Sequence, residues 1–411
     1  MKKFSFMLVF ALIATLAYAQ KKPLDHSVYD SWKSLNAVSV PRNGDILIYN
    51  INPGEGDSEL VIENIRTGKK IVVPRATNAK LSEDGSKVVA VIKPFFSETR
   101  QAKIKKAKKE DMPKDSLALI DVKTGKVEKF ANLKSHAIAD KWSTYLAFEL
   151  TPAKEKADKK ADAKDDKKKP APKKDTNKLL VMNILTNKVD TLKNVTSYKF
   201  NEDGSLLAYV VEPEKKDSLS KAGLFLYNPA NGESKAVLEG AKGSKFKTPS
   251  FSEVGTMAFY ANTDTTKEAK KNIDIYFYDI KNANLQKAVH NQMAGLQEGW
   301  IVSENGQISF SKDGKRLFFG TAPKPLEKDT TLAEFEQPQL DIWTWNEDYL
   351  QTVQLFNQKR DLKRTYTAYI NTSLQDNFVQ LGTLDVPSVN VPNEKQADWV
   401  LVGNDKNYRI Q

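Results

Sequence analysis

Short apolar runs recur along the chain, each bounded by polar residues and by glycine or asparagine. The densest are Ile46-Leu47-Ile48-Tyr49, Val88 to Ile92, Tyr145-Leu146-Ala147-Phe148, Leu206 to Val211, Met257 to Tyr260 and Leu317-Phe318-Phe319. Runs this short, rich in β-branched and aromatic side chains and flanked by turn formers, predict strands rather than helices. A second set follows at variable distance: Leu60 to Asn64, Leu117 to Asp121, Leu179 to Asn183, Leu224 to Asn228, Ile275 to Asp279 and Ile342 to Trp345. The first set is apolar almost throughout instead of alternating, which predicts strands covered on both faces.

A repeated phrase precedes these runs. Phe310-Ser311-Lys312-Asp313-Gly314 recurs as Leu81-Ser82-Glu83-Asp84-Gly85 and as Phe200-Asn201-Glu202-Asp203-Gly204. Phe251-Ser252-Glu253-Val254-Gly255 is a degraded copy, Asn43-Gly44-Asp45 opens the first repeat, and Lys141-Trp142-Ser143 is blurred. Asp-Gly makes a tight turn because both residues tolerate positive φ. An acid or asparagine closes each run of the second set (Asn64, Asp121, Asn183, Asn228, Asp279, Asn346), again as a turn former. Successive turns lie 41 residues apart from Gly44 to Gly85, 51 from Gly204 to Gly255 and 59 from Gly255 to Gly314. A long period with four strands per repeat predicts an all-β chain, a β-propeller of four-stranded blades over residues 36–411, with about six to seven blades and no closure. A β-sandwich competes, but it does not place one phrase at the same point of every repeat.

Composition changes this picture at three places. Residues 1–19 pair a basic start, Lys2-Lys3, with the apolar run Phe4 to Leu16 and the small-x-small motif Ala17-Tyr18-Ala19. That predicts a signal peptide cleaved after Ala19, hence export to the periplasm or medium with no transmembrane anchor left, and a lead-in over residues 20–35. The formal charge is +11, which raises the question of a nucleic-acid partner. Most of the excess sits in that leader and in two lysine-rich stretches, residues 100–115 and 153–175, leaving the body nearly neutral, so no nucleic acid is expected. Residues 153–175 are almost all Lys, Ala, Asp and Pro and are expected to be disordered, whereas Arg100 to Asp115 predicts a short charged helix. Both stretches fall between the second and third strands of a repeat.

Chemistry is sparse. The chain has no cysteine, which removes disulfides, thiolate nucleophiles, cysteine-bound zinc and N-terminal lipidation through cysteine. Gly-x-Ser-x-Gly, a P-loop, a dinucleotide fingerprint and His-Glu-x-x-His are all absent. The three histidines, His26, His136 and His290, are far apart and lie in no motif, so no catalytic residue, metal ligand or cofactor is assigned. Glu334 and Glu336 are the only acids that stand out as candidates to hold an amine; a carboxylate pair of the glycosidase kind leaves no sequence mark. Trp343, Trp345, Tyr276 and Tyr278 alternate on predicted strands and are expected to pack between blades.

With these residues in view, the chain resembles the N-terminal propeller half of prolyl oligopeptidase and dipeptidyl-peptidase serine peptidases, in the exported form found in Bacteroidetes-like bacteria. The resemblance rests on Val28-Tyr29-Asp30-Ser31-Trp32 before the first repeat, on the Ser-x-Asp-Gly phrases, and on Leu340-Asp341-Ile342-Trp343-Thr344-Trp345-Asn346. The Asp-Gly phrase alone is shared with periplasmic propellers of the TolB type. The resemblance implies a propeller that gates peptide substrates for an α/β-hydrolase domain carrying the Ser, Asp and His triad. The sequence breaks off at Gln411 in what reads as mid-blade, so no triad residue is carried over and the chain alone is expected to be inactive. A stand-alone propeller that binds a protein or glycan is the alternative. A propeller left open is expected to associate through unpaired strand edges.

Overall fold

The computed structural model describes residues 25–40, 44–142, 144–152, 178–213, 221–247, 249–264, 272–326, 331, 333, 335–337, 340, 342–373 and 378–409. The predicted leader and the Lys/Ala/Asp-rich stretch 153–175 lie outside the described residues. The fold is all-β, and its sheets are antiparallel blades of the β-propeller kind. The chain divides into two compact units, one up to Leu133 and one from Lys134 onward.

The first unit opens with a 3-10 turn, His26–Ser31, in which Tyr29 and Trp32 pack ring to ring at 4.9 Å. Its first sheet comprises β1 (Lys33–Ser39), β2 (Ile46–Pro53), β3 (Glu59–Asn64) and β4 (Lys70–Pro74), hydrogen-bonded in chain order. β1 thus begins inside the segment read from sequence as lead-in. The second sheet comprises β5 (Ala76–Leu81), β6 (Lys87–Ile92), β7 (Ser116–Asp121) and β8 (Val127–Phe130), again in order. One apolar cluster joins the two sheets, built from Ile46, Ile48, Leu60 and Ile62 against Val88, Ala90, Ala118 and Ile120. The predicted charged helix is present but shifted: α1 runs Phe96–Ile104, and a 3-10 turn at Lys109–Asp111 follows. α1 buries no residue, and its first amide (Phe96) donates to Asp57 Oδ1 at 2.8 Å.

The second unit carries the remaining sheets. The third comprises β9 (Leu133–Ala137), β10 (Tyr145–Leu150), β11 (Lys178–Asn183) and β12 (Val189–Lys193). The fourth comprises β13 (Val195–Phe200), β14 (Leu207–Val211), β15 (Ala222–Asn228) and β16 (Glu233–Gly240). In the fifth, two short strands, β17 (Lys245–Phe246) and β18 (Ser250–Phe251), both pair with β19 (Thr256–Asn262), followed by β20 (Asp274–Asp279) and β21 (Asn284–Val289). In the sixth, β22 (Trp300–Val302) and β23 (Ser309–Phe310) both pair with β24 (Arg316–Pro323). Helix α2 (Gln351–Asp361) comes next, then β25 (Tyr366–Asn371) and β26 (Val379–Gln380). A two-stranded sheet, β27 (Ser388–Asn390) with β28 (Leu401–Gly403), follows.

Period-two geometry explains why the central strands read as unbroken apolar runs. On β19, Met257, Phe259 and Ala261 face the fourth sheet, where Ala208, Val210, Leu224 and Leu226 meet them. Its alternate residues, Ala258 and Tyr260, face the sixth sheet and pack with Leu317, Phe319, Ala368 and Ile370. Both sides of one strand are core, so neither can be polar. The third and fourth sheets share a further cluster around Leu179, Val181, Leu207 and Tyr209.

The repeated phrase is a hydrogen-bonded turn. Ser82 Oγ donates to Asp84 Oδ1 at 2.6 Å and accepts from the Lys87 amide at 2.9 Å, with Gly85 at φ +72°. Ser311, Asp313, Arg316 and Gly314 repeat this with distances of 2.6 and 2.9 Å and φ +71°. The strand-end residues Asn64, Asp121, Asn183, Asn228 and Asp279 likewise accept a backbone amide two or three residues on, at 2.7 to 3.1 Å. In an antiparallel meander these two turn types share one end of the sheet, so the connection between second and third strands lies at the other. α1 and α2 both occur in that connection.

Asp121 also takes a hydrogen bond from Lys87 Nζ at 2.7 Å. That bond, with those from the Thr124 amide and hydroxyl, holds its carboxyl far below the usual carboxylate range. A depressed folded pKa contributes stability above the unfolded value, about 3.9, that is lost as pH falls through the folded one. Asp121→Asn is therefore expected to lower the urea midpoint at pH 7, with the difference from the parent shrinking as pH falls through 4 toward 2. A difference that stays constant over that range would show the carboxylate charge to be unimportant.

The sixth repeat departs from expectation. Ile342 to Trp345 is not a strand; the third strand of that sheet is β25, and Asn346 is no strand end. Trp343 and Trp345 are 67% and 94% exposed, so they do not pack between blades, whereas Tyr278 on β20 does. The reason is competition: Tyr366–Asn371 supplies alternating Tyr366, Ala368 and Ile370 for the core side of β24, and the ladder can take only one partner there.

Candidate ligand cavity

Several first strands are irregular in this fold. β1, β5 and β13 carry register shifts at Asn36/Ser39, Thr77/Lys80 and Val195/Ser197. In the fifth and sixth sheets the first strand is cut in two: β17 ends at Phe246 and β18 begins at Ser250, and β22 ends at Val302 and β23 begins at Ser309. Pro249 has no amide to donate, and Gly306 gives no side chain to pack, so both loosen the ladder locally. A cavity of about 450 Å3 opens at these cuts, lined by Thr196, Ser197 and Lys199 of β13, by Phe246, Lys247, Pro249 and Ser250, by Tyr260, and by Glu304, Gly306, Gln307 and Ile308. Every lining residue belongs to the second unit.

Its polar groups are unevenly paired. The Lys247 amide donates to the Tyr260 carbonyl at 3.0 Å, which anchors the cut. Lys247 Nζ donates to the Glu304 carbonyl at 2.7 Å and lies 3.3 Å from Glu304 Oε2, so this cation and this acid form one pair. Tyr260 is 3% exposed, and its Oη has no hydrogen-bond partner among the described residues. Burial pushes this phenol well above the ordinary tyrosine range, reinforced by Glu304. The Gly320 amide tempers the rise but lies outside hydrogen-bond geometry. Gly306 is required beside it: a Cβ there would sit 2.5 Å from Gly320 Cα and 3.2 Å from Tyr260 Oη.

A second polar group joins β9, β10 and β13. Ser135 of β9 is 2.7 Å from Tyr198 Oη of β13 and 3.3 Å from Glu149 Oε2. Glu149 is buried and pairs with Lys134 Nζ at 2.9 Å, while its Oε1 has no partner. Burial raises the Tyr198 phenol. In the first unit, a cavity of about 360 Å3 is lined by Asp57, Arg75, Lys93, Phe96 and Asp115 among others. There Lys93 and Asp115 pair at 2.7 Å, and the Arg75 guanidinium stacks 3.7 Å over Phe95.

The residues singled out in the sequence are not brought together. His26 packs edge-on against Tyr29, His136 is half-buried on β9 with its pKa lowered by burial, and His290 Nδ1 accepts from the Gln292 amide. Glu336 is exposed and closes a local turn by accepting the Ala333 amide at 3.1 Å; Glu334 lies outside the described residues. Among the described residues no group of three or more His, Cys, Asp or Glu forms a metal cluster, and no helix is long and apolar enough to cross a membrane. Sequence reasoning missed Lys247, Tyr260, Glu304 and Gln307. The one signal for them is the pair of ladder breakers, Pro249 and Gly306, set in otherwise regular repeats.

No protein-family profile and no curated protein matches the chain. Solved structures do. An acylaminoacyl peptidase of Pyrococcus horikoshii aligns over 73% of this chain and 44% of its own, at 14% identity and a TM-score of 0.37. A prolyl endopeptidase aligns over 71% of this chain and 40% of its own, at 12% identity and a TM-score of 0.41. A eukaryotic initiation factor aligns over 88% of this chain and 69% of its own, at 12% identity and a TM-score of 0.44. The chain spans less than half the length of the two peptidases it matches.

Proposed function

We propose that this chain is the propeller part of an exported serine peptidase acting on peptides, which gates access to a catalytic domain that the sequence in hand does not include. The observation that carries the reading is the apolar surface between β24 and β25. Trp345 and Phe356 are 94% and 89% exposed, Leu340, Ile342, Trp343 and Leu350 are exposed as well, and α2 buries no residue. Apolar area of this extent on one connection marks an interaction surface rather than a solvated loop. A catalytic domain seated there would fit the resemblance carried by the Tyr29-x-x-Trp32 lead-in and the Asp341-Ile342-Trp343-x-Trp345 stretch. The leader-like pattern of residues 1–19 fits an exported enzyme of this kind.

The test is to read the coding sequence past Gln411 and assay its full product. A Gly-x-Ser-x-Gly motif downstream, with peptide hydrolysis abolished by a serine-directed reagent, is the expected result. A stop codon directly after Gln411 in the native gene would overturn it and favour a stand-alone propeller that binds a protein or glycan partner.

A further inference from the structure

We infer that the cavity at the cut strands β17/β18 and β22/β23 binds the C-terminal carboxylate of a short peptide, with Tyr260 and Lys247 as its donors. Four features of the site converge on an anion of this size. Tyr260 is a lining residue whose hydroxyl is buried and unpaired among the described residues, and an unmet buried donor is a cost that an acceptor from a ligand removes. The raised phenol stays protonated through the physiological range and so remains a donor. The lining holds two lysines, Lys199 and Lys247, and one acid, Glu304, and so carries one net positive charge. Ser197, Ser250 and Gln307 add neutral donors, while Phe246, Pro249 and Ile308 give an apolar wall for a side chain.

The charge count separates carboxylate from phosphate. A phosphate dianion calls for paired guanidinium groups or a row of backbone amides, and the lining holds no arginine. A volume of about 450 Å3 is within the range of small-ligand sites and takes two or three residues of peptide. Choosing a peptide as the carrier of the carboxylate rests on the peptidase reading; recognition of a carboxylate rests on the cavity alone.

The experiment is calorimetric titration of the whole chain with N-acetyl-Ala-Ala-Phe as free acid and as C-terminal amide. The acid is expected to bind about tenfold more tightly, the equivalent of about 1.4 kcal/mol. Tyr260→Phe is expected to erase most of that preference while leaving the thermal midpoint of the free chain unchanged or higher, since it deletes an unpaired polar atom. Lys247→Met is expected to weaken the acid and not the amide, and Lys247→Arg to retain binding. Equal binding of acid and amide, a preference that survives Tyr260→Phe, or no binding of either at millimolar concentration would overturn the proposal. Binding of acetate or a sugar acid but not of the peptide acid would also overturn it as a peptide site. Absence of a downstream catalytic domain would sink the peptidase reading without altering the acid-to-amide ratio, so the two failures are distinguishable.

Discussion

Trp142→Ala is expected to destabilise the second unit by about 3–5 kcal/mol, the range for removing a large aromatic from a closed core. Trp142 is 1% exposed and among the largest fully buried side chains. Its indole Nε1 donates to the Tyr145 carbonyl at 2.8 Å, spanning the hairpin between β9 and β10. That hairpin lacks the Ser-x-Asp-Gly phrase, and the indole adds a bond from its turn to the start of β10. Next door, the Lys141 amide donates to the Glu202 carbonyl at 2.8 Å, tying the third sheet to the turn of the fourth. Trp142→Phe separates the two contributions: it keeps most of the packing and loses the hydrogen bond, for an expected cost of about 1 kcal/mol. Urea unfolding followed by far-ultraviolet circular dichroism measures both. A Trp142→Ala cost under 1 kcal/mol would show that the hairpin closes without the indole.

Gly306→Ala is expected to cost about 2–3 kcal/mol, near the upper end for overpacking, because the obstacle is backbone. Its Cβ would meet Gly320 Cα at 2.5 Å and Gly320 N at 2.6 Å. Gly320 is equally confined, with a Cβ there 2.7 Å from Gly306 Cα and 2.8 Å from Thr365 Cβ. Neither neighbour is the free end of a side chain, so the β22–β23 connection must lift off β24. Gly232→Ala is the comparison: nothing lies within 4 Å, and only its φ of +77° opposes a side chain, for about 1 kcal/mol. Thermal denaturation of the two variants should therefore rank Gly306→Ala well below Gly232→Ala. Equal midpoints would mean that the crossing of Gly306 over Gly320 relaxes easily.

The turns of this protein are legible because each is closed by its own residues. Ser82 to Lys87 and Asp121 to Thr124 need nothing from outside to form their hydrogen bonds. The central strands are legible for a similar reason: burial on both faces forces a continuous apolar run, as on β19 and β24. Ile342 to Trp345 shows where this fails. Its composition is as strand-like as that of Ile275 to Asp279, yet it is exposed and unpaired while Tyr366–Asn371 takes the ladder beside β24. Propensity is local, but a place in a sheet is a competition between segments, here separated by a helix.

The candidate site was nearly invisible by the same logic. Lys247 and Glu304 look like solvated charges in the sequence, and Tyr260 looks like one more core aromatic. Only the tertiary structure sets Lys247 Nζ 3.3 Å from Glu304 Oε2 and leaves Tyr260 Oη buried without a partner. The amino-acid sequence alone determined the strands, the turn chemistry and the blade-like repeat, because those depend on residues a few positions apart. The cavity was decided by the packing of three sheets whose lining runs from Thr196 to Ile308. Two interrupted strands and a glycine crossing create an unmet donor there, and that is a property of distances between sheets, which no local pattern encodes.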